Sequence, residues 1–292
     1  MKKANLFIIG ASKCGTTSFY NILKEHPDIC MSSTKETSYF SLSEEKQKEI
    51  NYQDYYSHCT NQKILGEVSP IYSELHTAPW TAERIYKYNS EAKIIYLIRN
   101  PIDRLKSVWK QTLHTGHWKE QVYLKRFGIN VPKMSLDFKK AVFDYPAFLD
   151  ACRYWFQISG YKEFYLDDQI KIIFFEDFIS SPEAVFKEVF SFLNIKDFDI
   201  SNLQKQHNKS SGKKMMNPKI QSIIDSTFVQ RIKDFRFLTK LKNYAKKIVY
   251  KEVPSDIEID EELKSEILEE LEEDMNKILN YANKDTSYWS FE

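Results

Sequence analysis

This sequence of 292 residues has little of what marks several common protein classes. Its formal net charge of +1 argues against a general polyanion binder, and its 42% hydrophobic residues argue against disorder. No apolar run approaches the roughly 18 residues that a membrane-spanning helix needs. The run that begins at Leu6 is also shorter than the roughly 7–15 residues of a signal-peptide core. We therefore expect a cytoplasmic protein with no integral membrane segment and without nucleic acid as a partner.

Cysteine is scarce as well, with four residues in the chain. These residues are scattered, show no C-x-x-C spacing and have no histidine pattern nearby, so neither a disulfide framework nor a zinc site is indicated. We expect no metal site, and reduced thiols at Cys14, Cys30, Cys59 and Cys152.

Glycine occurs only seven times, so its positions are informative. Gly10 and Gly15 bound a short loop that follows the apolar run at residues 6–9. Such a run suits a strand buried on both faces, and the glycines let the loop turn sharply and bring its N–H groups close to a ligand. A helix is predicted next, through about Glu25, and its first turn carries Thr16, Thr17 and Ser18. Because free N–H groups and the positive end of the helix dipole favour phosphate, these residues predict an anion site.

The position of the lysine distinguishes this loop from the nucleoside-triphosphate P-loop, G-x-x-x-x-G-K-[ST]. The glycine spacing is kept, but Thr16 stands at the lysine position and Lys13 lies inside the loop. A lysine there can reach the 5′-phosphate of a nucleotide that has no β- and γ-phosphates. The loop resembles the K-x-G-T-T-S loop of sulfotransferases that use 3′-phosphoadenosine-5′-phosphosulfate (PAPS), and the match is complete in Lys13-Cys14-Gly15-Thr16-Thr17-Ser18.

This resemblance implies a fold and a cosubstrate. The expected fold is α/β, a three-layer P-loop NTPase-like arrangement with a central, mainly parallel sheet flanked by helices. PAPS is the expected cosubstrate, and no metal is expected because a sulfuryl group carries fewer charges to neutralise than a phosphoryl group. By the same resemblance, Lys13 stabilises charge on the leaving phosphate, and the cosubstrate is bound by Lys13, Cys14, Gly15, Thr16, Thr17 and Ser18.

A second motif of the family, K-E-x-x-[FY]-F, is matched by Lys35, Glu36, Tyr39 and Phe40. The glutamate of this motif is the family's general base, which implies that Glu36 takes the proton of the acceptor hydroxyl. Lys35 is expected to bind substrate. The alternative for Glu36 is one solvated acid among the 41 Asp and Glu residues, but the complete first loop favours the base.

The segment Gly66-Glu67-Val68-Ser69-Pro70 resembles the family's G-E-[KA]-[ST]-P segment. Animal glycosaminoglycan enzymes have a catalytic lysine where this chain has Val68. The difference removes one cation from the environment of the leaving group. Lys13, together with Lys35, is therefore expected to carry more of that charge.

The apolar stretch at residues 92–98 predicts a buried strand, and Arg99 follows it in the family pattern R-[DN]-P-x-x-R-x-x-S. The resemblance implies that Arg99 and Ser107 bind the 3′-phosphate of the cosubstrate. It also implies that Gln111, one helical turn after Ser107, contacts the acceptor. Arg104 is expected to be structural and to pair with a nearby carboxylate.

The strongly basic segment 205–251 has two open interpretations. In the first, it is a basic wall over the cosubstrate, in which Gly212, Lys213 and Lys214 resemble the family's third phosphate-contacting loop. In the second, it is a solvated amphipathic segment that touches anionic lipid at a membrane surface or a polysaccharide chain.

No internal repeat or low-complexity linker divides the chain, so we expect one domain over residues 1–292. Variable acceptor-site insertions are expected at about 41–63 and 112–150, and a helical C-terminal part at about 205–292. Apolar residues recur there every three or four positions among acids, which predicts a packed helix. These residues are Leu263, Ile267, Leu271, Met275 and Ile278.

The matches predict an enzyme that moves a sulfuryl group from PAPS to a hydroxyl acceptor, a carbohydrate or a glycolipid, by in-line displacement. The first alternative is a P-loop kinase-like phosphotransferase, which Lys13 and Thr16 disfavour. The second is a non-catalytic polyanion-binding protein that uses the basic segment.

Overall fold

The protein is built around a five-stranded sheet in which every pair of neighbouring strands is parallel. The computed structural model describes residues 3–115, 134–135, 137–145, 148–203, 214–216, 250–252, 257, 259–289 and 291. The strands run in the order β2-β3-β1-β4-β5. Their bounds are β1 Leu6–Gly10, β2 Ile29–Met31, β3 Ile64–Val68, β4 Lys93–Ile98 and β5 Ile170–Phe174. The expected α/β architecture with a central parallel sheet is confirmed.

The continuous apolar runs form the middle of this sheet. All five residues of β1 are buried, and β4 is buried from Ile94 to its end. Leu6 of β1 lies opposite Gly66 on one side and Lys93 on the other. A strand with neighbours on both sides and packed faces needs apolar side chains pointing both ways, which explains why these strands show no alternation.

Helices flank the sheet, and the first of them ends at Leu23, two residues before its predicted end. Phe19 of the first helix packs on the rings of Phe178 and Phe186, which come from two later helices. No helix among the described residues is long and apolar enough to cross a membrane. The helices are α1 Thr16–Leu23, α2 Glu44–Lys48, α3 Thr81–Tyr88, α4 Pro101–Thr115, α5 Phe138–Asp144, α6 Tyr154–Lys162, α7 Phe175–Ser180, α8 Pro182–Phe192 and α9 Glu261–Tyr281.

The C-terminal helix α9 is packed as its periodicity predicts. The residues of the predicted stripe are all buried, namely Leu263, Ile267, Leu271, Met275 and Ile278. Asp260 caps the helix by accepting a hydrogen bond of 2.8 Å from the Leu263 amide. Asp274 accepts hydrogen bonds from the amides of Trp155 and Phe156 at 2.9 and 2.8 Å. Since those amides lie in the first turn of α6, Asp274 ties α9 to that helix.

The part at about 205–292, which was expected to be helical, also contains a two-stranded antiparallel sheet, in which β6, Lys214–Met216, pairs with β7, Tyr250–Glu252. Strand β6 lies beside α4. Lys213 and most of the basic segment lie outside the described residues, as does much of the insertion predicted at 112–150.

The expectation of four reduced thiols is wrong for one pair. Cys30 and Cys59 form a disulfide with their Cα atoms 5.9 Å apart, whereas Cys14 and Cys152 are free and buried. Cys30 lies in β2, and the chain returns past this strand, where the Ser33 amide donates to the Tyr55 carbonyl at 2.8 Å. This return places Cys59 beside Cys30, and no short sequence spacing signals it.

Candidate active site at the carboxyl edge of the sheet

The segments that follow four parallel strands meet at one edge of the sheet. The Ala11 amide, after β1, donates to the Leu97 carbonyl of β4 at 2.5 Å, and the Ser69 amide, after β3, donates to the Ile8 carbonyl at 3.1 Å. The Glu36 amide, after β2, donates to the Val68 carbonyl at 2.9 Å. The structure therefore brings the first loop and the Glu36 segment to the edge where β4 ends and Arg99 begins, the usual ligand side of such sheets.

The first loop ends at the N-terminus of α1 and leaves its amides available. Gly15 is the N-cap residue, with φ of 82°, a conformation that suits glycine. A Cβ atom at Gly15 would lie 3.0 Å from the Phe175 ring, so a side chain has no room there. The amides of the N-cap residue and of the next three residues, Thr16, Thr17 and Ser18, have no acceptor within the helix. This turn of backbone can bind an anion.

Lys13 has a left-handed backbone conformation, with φ of 70°, in a loop that hydrogen bonds from other segments hold in place. Such a conformation costs a non-glycine residue about 1–3 kcal/mol and persists only where the surroundings enforce it. The buried Arg104 supplies one brace, because its Nε donates to the Ser12 carbonyl at 3.1 Å and its guanidinium also donates to the Phe148 carbonyl at 3.2 Å. Arg104 is therefore structural, as predicted, but these hydrogen bonds go to backbone carbonyls and not to the carboxylate that the sequence led us to expect.

Cys14 anchors the loop to the core. Its side chain is fully buried, and this burial raises the pKa of the thiol to about 12. Its amide donates to the Ala11 carbonyl at 3.2 Å. Cys14 thus holds the turn in shape, with a neutral thiol at physiological pH.

The segment of Glu36 is fixed against the end of β3. Glu36 and Ser38 both have positive φ, 63° and 57°. The Ser38 amide donates to the Ser69 hydroxyl at 3.0 Å, next to the Glu36–Val68 backbone bond. The Lys35 ammonium group pairs with the Glu36 carboxylate. Since the Glu36 side chain is 45% exposed, a rigid backbone here presents a solvent-accessible carboxylate.

A buried carboxyl group lies behind this segment. Glu67 is fully buried in β3, and the Thr37 hydroxyl donates to its Oε2 at 2.5 Å. Its Oε1 has no hydrogen-bond partner among the described residues. Burial raises the pKa of Glu67 to about 7, against the effect of the Thr37 hydrogen bond. Glu67 therefore positions the residue next to Glu36, in a site where its own charge is costly.

The Glu67→Gln variant is expected to change how stability depends on pH. Between about pH 4.5 and 7, the folded protein keeps a proton on Glu67 that the unfolded chain has released. The contribution of this group to the free energy of unfolding therefore falls as the pH rises through that window, by up to about 3 kcal/mol. Urea unfolding of both proteins at pH 5 and pH 8 measures the effect.

The wild type should lose stability relative to Glu67→Gln between the two pH values. The exposed Glu163 at the end of α6 offers the matched control, since Glu163→Gln should follow the wild type. Equal pH dependence in the wild type and in Glu67→Gln would show that Glu67 is ionised in the folded protein throughout.

Arg99 stands at the end of β4 with part of its guanidinium unsatisfied. Its guanidinium lies over the Phe175 ring, 4.6 Å from the centroid, and one terminal nitrogen donates to Asp103 at 3.2 Å. Its Nε is buried and has no hydrogen-bond partner within the described part of the chain. A buried guanidinium N–H without an acceptor indicates a site for an anion.

Phe175 connects the two anion-binding elements. The Arg99 guanidinium lies over the Phe175 ring, and the same ring bounds the space at Gly15. The acid that follows it, Glu176, accepts a 2.8 Å hydrogen bond from the Asn100 amide and so fixes the end of β4. The Arg99 guanidinium and Gly15, at the N-terminus of α1, are therefore both neighbours of the Phe175 ring.

Helix α4 carries the remaining predicted residues. Asn100 caps it, because its side-chain oxygen accepts hydrogen bonds from the amides of Ile102 and Asp103 at 3.0 and 3.3 Å. Ser107 and Gln111, four residues apart and partly buried, lie on one face of this helix. Lys214 lies in β6, beside α4. Lys213, its predicted companion, is outside the described residues.

Sequence reasoning missed the residues that hold the others in place. Phe175 lies in a stretch for which the sequence predicts no role, and Thr37 lies inside the K-E-x-x-[FY]-F motif at a variable position. Ser69 and Glu67 belong to a segment whose resemblance was noted without a role for either. A possible signal was the acid in β3, since a carboxylate within a buried apolar strand needs a specific reason.

Comparison with known proteins identifies the family and the fold. A family model described as "Sulfotransferase domain" matches residues 3–281. The crystal structure of a sulfotransferase from Alicyclobacillus acidocaldarius superposes with a TM-score of 0.63 at 21% identity, and the match covers 99% of each chain. This likeness confirms the expected P-loop NTPase-like α/β fold.

Curated relatives match over shorter stretches. The membrane-associated sulfotransferase kil1 of Dictyostelium discoideum is 35% identical over 102 residues, which are 34% of this chain and 21% of that protein. The mouse heparan sulfate glucosamine 3-O-sulfotransferase 5 is 34% identical over 119 residues, 40% of this chain and 33% of that protein. The chain thus spans about a third or less of these relatives' length. With the family model matched along nearly all of its residues, the chain belongs to the sulfotransferase domain family.

Proposed function

We propose that the protein transfers a sulfuryl group from PAPS to a hydroxyl group of an acceptor. The observation that carries the proposal is the buried Nε of Arg99, which has no hydrogen-bond partner among the described residues. The Arg99 guanidinium stacks on the Phe175 ring, which also bounds the space at Gly15. Two anion-binding elements next to one aromatic ring suit a nucleotide with separate phosphates at its 5′ and 3′ positions.

The residues present fit the two phosphates of such a ligand. The amides of Gly15, Thr16, Thr17 and Ser18, with Lys13, would hold the 5′-phosphate. Arg99 would hold the 3′-phosphate with Ser107 from α4. Lys214, and Lys213 before it in the chain, would complete this end, because β6 lies beside α4.

The chemistry then divides among residues of this chain. PAPS supplies the activated sulfuryl group, which passes in line to the acceptor oxygen. Glu36 takes the proton from the acceptor hydroxyl, and Lys35 holds the Glu36 carboxylate through their ion pair. Lys13 stabilises the negative charge that develops on the departing phosphate. Thr37, Glu67 and Ser69 keep Glu36 in its left-handed conformation.

The proposed acceptor is a saccharide or a glycolipid, with Lys35 and Gln111 as contacts. The name of one matched relative supports a saccharide, since that protein is a heparan sulfate glucosamine 3-O-sulfotransferase. The Val68 side chain is fully buried, so the position after Glu67 offers no cation to an acceptor or a leaving group. The single domain and the cytoplasmic location expected from the sequence stay predictions.

Isothermal titration calorimetry is expected to distinguish this proposal from its alternatives. The desulfated product, 3′-phosphoadenosine-5′-phosphate, should bind one per chain without added metal, and more tightly than ATP with Mg²⁺ by at least tenfold. The reason is that ATP has no 3′-phosphate for Arg99. Tighter, Mg²⁺-dependent binding of ATP would indicate a kinase, and binding of polyanions alone would indicate a non-catalytic protein.

A product screen addresses the acceptor. Radiolabelled PAPS would be offered with heparan-type and capsular polysaccharides, glycolipids and tyrosine peptides. Label transferred to a saccharide-bearing acceptor supports the proposed class. Label transferred only to tyrosine peptides would overturn the acceptor class while leaving sulfuryl transfer intact.

A further inference from the structure

His58 lies directly beside the Cys30–Cys59 disulfide. The His58 Nε2 is 3.4 Å from the Cys30 sulfur and 3.8 Å from the Cys59 sulfur. The three potential ligand atoms lie within 4.8 Å of one another. Sulfuryl transfer, as proposed above, uses none of these groups, so the cluster needs a separate explanation.

We propose that Cys30, His58 and Cys59 form a binding site for a thiophilic divalent cation such as Zn²⁺ once the disulfide is reduced. A thiol or phosphine reductant supplies two electrons, the S–S bond breaks, and each sulfur takes up one proton. The cation then displaces both protons and is bound by two thiolates and the neutral imidazole Nε2. In the oxidised protein the two sulfurs are bonded to each other, so this site is blocked.

The donor set selects the class of metal. Two thiolates and an imidazole are the soft and borderline ligands that Zn²⁺ binds in proteins, whereas Mg²⁺ and Ca²⁺ prefer oxygen. Three protein ligands leave the fourth tetrahedral position to water. The site is therefore expected to hold the metal with one exchangeable ligand.

The local structure allows the change from disulfide to metal site. Cys30 is held in β2, where it pairs with Leu65 of β3, so its sulfur stays in place. His58 and Cys59 follow the helical turn Tyr52–Tyr56 in an irregular segment, and the His58 side chain is exposed. When the disulfide is reduced, this segment moves so that the two sulfurs separate from bonding distance to the distance needed for metal coordination. The metal then enters from solvent.

The site has a structural consequence for the proposed active site. Cys30 precedes Glu36 in the chain and Cys59 follows it, so the disulfide closes a loop that contains Glu36. A bound metal closes the same loop with the same residues. The loop that contains Glu36 is thus closed by the disulfide under oxidising conditions and by the metal under reducing conditions. Metal binding itself does not depend on sulfuryl transfer.

Cobalt binding to the full chain tests the proposal. The protein is reduced with a phosphine under nitrogen, freed of reductant and titrated with Co²⁺. The expected result is one Co²⁺ per chain, with thiolate-to-cobalt absorption in the near ultraviolet, the visible bands of tetrahedral Co²⁺ and the release of two protons. Added Zn²⁺ should abolish these bands, and the oxidised protein should give none.

Variants identify the ligands. Cys30→Ser and Cys59→Ser should each lose the charge-transfer absorption, and His58→Ala should bind Co²⁺ at least tenfold more weakly. His114→Ala, which removes a histidine on α4, is the matched control and should bind like the wild type. Alkylation of the reduced wild type with N-ethylmaleimide should also prevent binding, which requires no variant to fold.

Three results would each overturn the proposal. The first is a reduced wild type, with both thiols confirmed by mass after alkylation, that gives no thiolate-to-cobalt absorption. The second is absorption that persists in Cys30→Ser or Cys59→Ser, which places the metal elsewhere. The third is a disulfide that resists the phosphine in the folded protein. Failure of PAPS binding alters none of these outcomes.

Discussion

Glu36→Gln is expected to lower kcat for sulfuryl transfer by about 10²–10⁴-fold, the usual contribution of a positioned general base. Glutamine has nearly the shape of glutamate but cannot accept the proton of the acceptor hydroxyl. The main chain of Glu36 is fixed by the Val68 carbonyl, and its neighbours are fixed by Glu67 and Ser69, so the replacement should leave the segment in place. Initial rates with labelled PAPS and the acceptor found in the product screen measure the loss.

Binding provides the internal control for this variant. The affinity for 3′-phosphoadenosine-5′-phosphate should stay within about twofold of the wild type, because removing transition-state proton transfer alone leaves nucleotide binding unchanged. Glu163→Gln, at an exposed glutamate at the end of α6, should keep full kcat. A Glu36→Gln enzyme with wild-type kcat would assign the base to another residue.

Arg99→Ala is expected to weaken the binding of 3′-phosphoadenosine-5′-phosphate by about 10- to 100-fold, since a hydrogen bond to a charged group contributes about 1.5–3 kcal/mol. The side chain is held for this task by the Phe175 ring and by Asp103. Its loss should hardly alter the binding of 5′-AMP, which has no 3′-phosphate. The measurement is the ratio of the two dissociation constants by calorimetry, which should fall toward one.

The ratio distinguishes a phosphate contact from a general loss of structure. A misfolded or loosened site would bind both nucleotides more weakly and leave their ratio unchanged. Arg153→Ala is the matched control, because Arg153 pairs with Glu270 of α9 at 2.8 Å, in a contact between α6 and α9. Its ratio should equal that of the wild type. Arg99→Lys is expected to recover only part of the affinity, since an ammonium group has no planar fork of donors.

Local patterns in the sequence predicted much of the fold and the outline of the site. The buried run at residues 6–9, the two glycines and the first turn of α1 are neighbours in the chain, so their strand, loop and helix follow from local rules. The same holds for β4 with α4, and for the apolar stripe of α9. Burial imposes a period on each element, and that period is visible in the residues themselves.

Contacts between distant segments depended on the tertiary structure. Cys30 pairs with Cys59, and Phe175 lies beneath Arg99, because the chain returns to the same place after long excursions. Thr37 meets Glu67 for the same reason. The spatial order of the strands, β2-β3-β1-β4-β5, differs from their order in the sequence, so no spacing along the chain reveals these neighbours. The sequence by itself predicted which residues are candidates for the chemistry. Only the folded sheet decided which other residues hold these candidates in position, because the contacts between distant segments depend on which strands pair.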